Sequence, residues 1–503
     1  MIAVSLEIVA TAVGADSPNG AAGATITGVS TDSRTLNRGD LFVPIRGPRF
    51  DGHAFVAQAV QRGAVGVLVD QRYDCEAAAR RSVPYMVVDD TTAALGRLAA
   101  AFRRDVMPAS TTVVAVTGSN GKTTTKRMID HVLRASMRGR CSPRSFNNAI
   151  GVPLTLLSAE QSDRYLVVEI GSNAPGEVAA LAALAAPDVG VITSVGEAHL
   201  ERFHDLHGVV VEKTSLLEHV APTGLCVVNG DDPAMGSFLS AHDDNRVLTV
   251  GQASESDVRV SDVSGSLDET SFLLSDSAEW SVATAGASPR GVMTAARGAA
   301  GAAKRRSARS IRAVVPIPGL HHAVNAAAAY AVARSFGVSP GQIVDRLASF
   351  EPLEGRCRVR RLCGITIVDD SYNANPASMI AAVATLAKVD DGRRVFVMGD
   401  MGELGTASGR FHREAVEAVA GTGIDVLITV GPDFANAARS QRDVDGIRRV
   451  VCGEPGDAPS AVLDEVREGD TVWIKGSRSM ALERVADALA ARYGESVAAA
   501  PAS

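Results

Sequence analysis

The stretch Val113-Val114-Ala115-Val116-Thr117-Gly118-Ser119-Asn120-Gly121-Lys122-Thr123-Thr124-Thr125 decides the fold. A β-branched apolar run enters a loop with two glycines, and the pattern beyond it predicts a helix from about Lys122 to Ala135. A strand, loop and helix in this order place backbone N–H groups at a helix N-terminus, where phosphate binds. Two residues separate the glycines, against four in the usual P-loop, yet the working parts are present. Gly118 and Gly121 allow close approach, Lys122 can reach the β- and γ-phosphates, and Thr123 can face Mg²⁺, with Ser119, Asn120 and Thr124 completing the loop. A Gly-Lys-Thr helix start can also be only a turn and a cap; the apolar strand before it and the helix after it favour phosphate.

Outward from this unit, apolar runs recur at Tyr165 to Val168, Val189 to Thr193 and Leu225 to Val228, with room for a helix between each pair. That rhythm predicts a parallel, doubly wound sheet. Residues 1–108 read as a smaller α/β unit, residues 109–316 as the P-loop unit, and residues 317–503, with runs at Ile365 to Val368, Val395 to Met398, Val426 to Val430 and Thr471 to Ile474, as a third, Rossmann-like α/β unit. The stretch 284–312 is rich in Ala, Gly and Ser and carries seven basic residues and no acid. It holds too few large apolar groups to offset its ordering entropy, so it reads as a disordered insertion, with a basic docking segment as the alternative.

The chain has 503 residues, 46% hydrophobic and 21% charged, enough for several cores. Its 50 basic and 57 acidic residues give a net charge of −7, which offers no basic field for nucleic acid. The six cysteines are scattered with no CxxC pair, as expected of reduced thiols in cytoplasm rather than a disulfide framework or a zinc site. The N-terminus lacks a basic n-region, and no apolar run is long enough to span a membrane.

Chemistry beyond phosphate binding needs further residues. Glu169 ends an apolar run and so falls at the carboxyl edge of the sheet, where α/β sheets bind ligands and a carboxylate can hold Mg²⁺, although a helix-start acid reads the same way. His199, after the run Val189 to Thr193, lies at another strand end; a lone histidine there is also compatible with a hydrogen-bonded structural role.

Thr117 to Thr125, Glu169, Glu197-Ala198-His199, Gly319-Leu-His-His-Ala-Val-Asn325, Gly355-Arg356, Asp369 to Pro376 and Lys475-Gly-Ser-Arg478 together resemble the Mur ligases, ATP-dependent amide-forming enzymes of peptidoglycan synthesis. The resemblance spans nearly the whole chain, the stretch 284–312 excepted. It implies three domains: one that grips a UDP-sugar, a central ATPase and a C-terminal unit that closes over the nucleotide. Within the family, Phe146-Asn-Asn-Ala-Ile-Gly-Val-Pro153, Ser371 to Pro376 and Met398-Gly-Asp-Met-Gly-Glu-Leu-Gly405 imply a ligase that joins D-alanyl-D-alanine to UDP-N-acetylmuramoyl-tripeptide through an acyl phosphate, with ATP and Mg²⁺, acting as a cytoplasmic monomer. Relatives with another amino-acid acceptor, a folylpolyglutamate synthase, and a nucleotide switch without ligase activity are the alternatives; Asp32-Ser33-Arg34 argues for a UDP-sugar over a folate.

Carried over by position, the resemblance assigns Lys122 and Thr123 to phosphate and Mg²⁺, Glu169 and His199 to the metal shell, and Asn325, Arg356 and Asp370 to adenine, phosphate or ribose. It assigns Ser33, Arg34, Asp51 and His53 to the uridine nucleotide, and Asn147, Asn148, Tyr372, Asn373 and Arg478 to the active cleft. Two positions depart from the family. Lys213, the only lysine between His199 and Cys226, matches a lysine often carbamylated so that it can hold a second Mg²⁺, but its flanks are Glu212 and Thr214-Ser215 instead of Ala-Lys-x-Glu; a solvated helical lysine is the other reading. His322 stands where the family usually has Asn, and an imidazole cannot mimic both faces of an amide, so the adenine contact there is open.

Overall fold

In the computed structural model, residues 1–16, 23–48, 50–73, 84–241, 246–282, 293–296, 310–390, 392–440 and 446–494 are described. Thr112–Thr117 is buried at every position and pairs in parallel with Val189–Ile192 on one side and Tyr165–Glu169 on the other. Burial on both faces is why it reads as a continuous β-branched run rather than an alternating one. It sits inside a nine-stranded sheet that runs from Gly139–Cys141 at one edge, through Leu225–Asn229, Val247–Gly251 and Val258–Gly265, to the antiparallel strands Thr270–Asp276 and Ser310–Val315.

The helix Lys122–Leu133 packs Met128, Ile129, Val132 and Leu133 into the core beneath this sheet. Beside it lies the alanine-rich helix His322–Ser335, nearly all buried; its small side chains allow the close approach of the two helices. The helix Pro340–Leu347 packs on the P-loop helix and on Ser310–Val315. Residues 317–350 therefore belong with the central unit, and the junction with the third unit falls after Phe350 instead of at 316–317. The sequence placed it too early because a proline-glycine turn, Pro318-Gly319, looks like a boundary whichever sheet the next helix joins.

The third unit is a six-stranded sheet in the order Arg358–Leu362, Ile365–Asp370, Thr471–Lys475, Arg394–Gly399, Val426–Val430, Arg448–Cys452, parallel except for its first pair. The first unit holds a four-stranded parallel sheet, Gly28–Ser30, Asp40–Phe42, Gly66–Asp70 and Tyr85–Val88. Within the stretch expected to be disordered, Met293–Ala296 pairs antiparallel with Glu279–Val282, and Ser310 to Arg312 open an edge strand of the central sheet. Those positions gain backbone hydrogen bonds that composition does not reveal, a correction to the reading of 284–312; its remaining residues lie outside the described ones. The five described cysteines are free, and Cys75 lies outside the described residues.

Candidate active site

The loop after Thr112–Thr117 owes its shape to two glycines in the left-handed region, Gly118 at φ 142° and Gly121 at φ 79°. A Cβ on Gly118 would lie 2.2 Å from Thr193 Oγ1, and one on Gly121 2.6 Å from Asn325 Oδ1, so neither position accommodates a side chain. No side chain caps the helix that starts at Lys122, which leaves its first N–H groups for an anion. Lys122 folds back over the loop, donating to Gly118 O at 2.6 Å and Ser119 O at 3.2 Å. Burial lowers its pKa to about 8, Arg356 pushes the same way, and Glu169 opposes.

Glu169 ends its strand inside this cleft and is held at both oxygens. Thr123 Oγ1 donates to Oε2 at 3.0 Å, Lys126 Nζ lies 3.1 Å from the same oxygen, and Asn147 Nδ2 donates to Oε1 at 3.0 Å. Lys126 also donates to Ser142 O at 2.9 Å and to Arg144 O, so it ties the carboxylate to the loop that carries Asn147 and Asn148. The sequence reading missed this lysine. Its signal was spacing: Lys126 follows Lys122 by four residues and so shares its helix face.

The hydroxyl of Thr123 and the carboxylate of Glu169 are hard oxygen donors side by side, and both line the cleft. Among the described residues no group of three or more His, Cys, Asp and Glu side chains could cage a metal. That sparse donor set fits Mg²⁺, which takes one or two protein carboxylates and completes its shell with water and substrate phosphate.

His199 also lines the cleft, but its Nδ1 meets a carboxylate oxygen of Glu403, from the third unit. The close approach of the His199 ring holds the Glu403 carboxyl below its ordinary pKa. Lys213 lies just behind the cleft wall, 2% exposed, donating to Ser172 Oγ at 2.6 Å and standing 5.6 Å from the centre of the Phe203 ring. Burial, and then the charge of Lys122, lowers its pKa to about 7, which rules against the solvated-lysine reading. The unusual flank is also explained: Glu212 accepts from the N–H groups of Gly176 and Val178, at 2.6 and 2.8 Å, capping the helix Glu177–Ala185.

From the third unit, Arg356 stacks on Tyr372 with its guanidinium 4.0 Å from the ring centre and brings Nη2 to 3.5 Å from Thr123 Oγ1. Lys475 Nζ donates to Asp370 Oδ2 at 2.6 Å, and Asn375 Nδ2 donates to Asn120 Oδ1 at 2.7 Å across the two units. His322 packs against His321 and contacts Asn325, with 3.2 Å between His322 Nδ1 and Asn325 Nδ2. Burial lowers the pKa of His322 well below the ordinary value, so that ring is neutral.

These groups surround one cavity of about 690 Å³ between the central and third units, which Asn147, Asn148, Asp370 and Asn373 also line. Arg478 is not brought there: its side chain is 62% exposed and pairs with Glu483. Ser33, Arg34, Asp51 and His53 lie on the first unit, outside this cavity. Arg34 is exposed and paired with Asp32, while Ser33 donates to Gln58. Both ring nitrogens of His53 are engaged within the unit, Nδ1 with Asp51 at 2.8 Å and Nε2 accepting from Asp70 N at 3.1 Å.

Comparison with known proteins covers all three units. The Mur ligase family catalytic domain matches residues 25–103, the Mur ligase middle domain 116–333, and the Mur ligase glutamate ligase domain 355–478. The chain is 32% identical to the UDP-N-acetylmuramoyl-tripeptide–D-alanyl-D-alanine ligase of Bacillus subtilis, covering 92% of each chain, and 33% identical to that of Mycobacterium tuberculosis H37Rv, covering 97% of each. Among solved structures, MurF from Acinetobacter baumannii matches at a TM-score of 0.80 and 28% identity, over 97% of this chain and 98% of that one. MurF from Thermotoga maritima in complex with ADP matches at 0.74 and 26%, over 92% and 96%.

Proposed function

This chain belongs to the Mur ligase family, and from that premise we propose that it joins D-alanyl-D-alanine to UDP-N-acetylmuramoyl-tripeptide, converting ATP to ADP and phosphate. A carboxylate oxygen of the tripeptide bonds to the γ-phosphorus while the bond to the β,γ-bridging oxygen breaks and ADP leaves. The amine of D-alanyl-D-alanine then attacks the acyl carbon, phosphate departs, and the amine loses a proton as the amide forms.

The first step brings two anions together, and their repulsion at about 4 Å is roughly 4 kcal/mol at an effective dielectric near 20. The observation that carries the reading is the convergence of cations from two units on one cavity: Lys122 on the loop of the central unit, and Arg356 reaching Thr123 from the third. Fixed positive groups of this kind stabilise charge that develops on a transferring phosphoryl group. We assign Asp370, held by Lys475, and Asn325, against Gly121, to gripping adenine, phosphate or ribose of ATP.

We assign Mg²⁺ to Thr123, Glu169 and His199, where it would add its charge to that of Lys122 and Arg356 on the phosphates. Lys213 we assign as a carbamate. A lysine with a pKa of about 7 is substantially neutral near neutral pH, and a neutral amine can attack CO₂, forming an N–C bond and releasing a proton to leave an anion facing the metal shell. The first unit, with Ser33, Arg34, Asp51 and His53, is assigned to the UDP-sugar. The reading places the enzyme in the cytoplasm as a monomer; among the described residues no helix is long and apolar enough to cross a membrane.

Phosphate release with ATP and Mg²⁺ tests the reading. Release is expected only when both UDP-N-acetylmuramoyl-tripeptide and D-alanyl-D-alanine are present, and is expected to vanish in Lys122→Ala. Steady release without D-alanyl-D-alanine would refute it.

A further inference from the structure

Asn375 of the third unit is 8% exposed and stands immediately before the helix Pro376–Leu386. Both ends of its amide are committed. Oδ1 accepts from Ser378 N at 3.0 Å and so caps the helix, while the Asn375 N–H donates to Ser378 Oγ at 3.0 Å and closes a capping box. With the oxygen turned to the helix, Nδ2 is the end that faces outward, and it donates to Asn120 Oδ1 at 2.7 Å. The two residues are 255 positions apart, one on the phosphate loop and one on the third unit.

Asn120 is held from behind as well. Its N–H donates to Ser194 Oγ at 2.9 Å and its carbonyl accepts from the same hydroxyl at 3.2 Å, which ties the loop backbone to the turn after the strand Val189–Ile192. Both asparagines line the cavity. Among the described residues no group accepts from Asn120 Nδ2. An amide has one accepting and one donating end, and only the donating end suits a phosphate oxygen. With Oδ1 taken by Asn375, the donating end of Asn120 is the one left for an anion.

We propose that Asn375 is a positioning residue that sets the polarity of the phosphate loop. By holding Asn120 Oδ1 it commits Asn120 Nδ2 to the phosphates of ATP. The loop then offers its full set of donors only while the third unit is docked. The inference deepens the ligase reading and rests on its ATP site, whatever the amino-acid acceptor.

Calorimetric titration of the full chain with ATP and Mg²⁺ tests it. Serine and aspartate both cap helices, so Asn375→Ser and Asn375→Asp keep the bond to Ser378 N and the fold with it. Asn375→Ser, whose side chain is too short to reach Asn120, is expected to weaken ATP binding about 3- to 10-fold, and about twofold or less in an Asn120→Ala background. Asn375→Asp separates orientation from docking alone: its carboxylate accepts from Asn120 Nδ2, which keeps the contact but turns Oδ1 toward the phosphates. Its loss of ATP affinity is expected to be about tenfold larger with Asn120 present than in Asn120→Ala, where only the added charge acts. Without nucleotide, the full chain labelled with ¹⁵N-asparagine should show the Asn375 side-chain NH₂ signal, identified by its loss in Asn375→Ser, shifting in Asn120→Ala. An Asn375 signal unmoved by Asn120→Ala, a serine effect undiminished in that background, or an aspartate effect no larger with Asn120 than without it would overturn the proposal. Wild type that binds no ATP would overturn the proposal and the ligase reading together. ATP binding with the expected losses, but no phosphate release when both substrates are present, would count against the ligase reading alone.

Discussion

Lys126 Nζ lies 3.1 Å from Glu169 Oε2, and the two side chains are 0% and 1% exposed. A carboxylate and an ammonium buried together depend on each other: Lys126 alone would be a buried charge without its partner, and Glu169 alone would keep only the Lys122 charge nearby. Lys126→Met is therefore expected to destabilise the chain by about 3–5 kcal/mol. The double variant Lys126→Met/Glu169→Gln, which removes both charges, should recover much of that loss. Urea denaturation followed by circular dichroism checks it, and a single variant as stable as wild type would contradict the pairing.

Gly121→Ala places a methyl group 2.6 Å from Asn325 Oδ1 on a backbone at φ 79°. The loop must shift to relieve both the clash and the left-handed strain, and the phosphate cradle shifts with it. ATP affinity, measured by calorimetry, should fall by about tenfold or more, since every 1.4 kcal/mol of lost cradle is one decade. Undiminished affinity would show that the glycine is not needed for close approach.

Lys213 gives stability a pH dependence with a definite sign. In the unfolded chain its amine holds a proton up to about 10.5, and in the folded chain only up to about 7. Between those values the unfolded state binds more protons, so stability rises with pH; below about 7 both states are protonated and the full penalty of the buried charge remains. In CO₂-free buffer, Lys213→Met should exceed wild type in melting temperature most clearly below about pH 7, and the advantage should shrink as pH climbs toward 10. A constant difference across that range would refute the assignment. Separately, a short carboxylic acid should restore turnover to Lys213→Ala if a carbamate is the working form.

Arg478 makes a contrasting case. The sequence motif puts it with the cleft residues, yet its side chain is 62% exposed and engaged by Glu483 outside the cavity. Arg478→Ala should change kcat and the KM for ATP by about twofold or less, the scale of an exposed ion pair. A loss near that of Lys122→Ala would place it in the reaction after all.

The P-loop and the strand before it were legible from sequence because their chemistry is local. A β-branched run, two glycines and a Lys-Thr pair fall within thirteen consecutive residues, and backbone geometry links them directly. The three α/β units were legible for the same reason, each apolar run being a strand in its own right. The helix His322–Ser335 was assigned to the wrong unit because an alanine-rich helix buried on nearly every face carries no stripe to say which sheet it packs against.

Chain chemistry was thus enough for the parallel sheets, for the glycine loop after Thr112–Thr117 and for some of the residues that line the cleft. Spatial folding settled which of those residues meet. Glu169 and Lys126 are 43 positions apart, Thr123 and Arg356 233, and His199 and Glu403 204, and in each case the contact exists only because elements far apart in the chain pack against each other. The burial of Lys213 was decided in the same way: it lies against Ser172 and Phe203, and burial is a property of the packed chain that no run of neighbouring letters encodes.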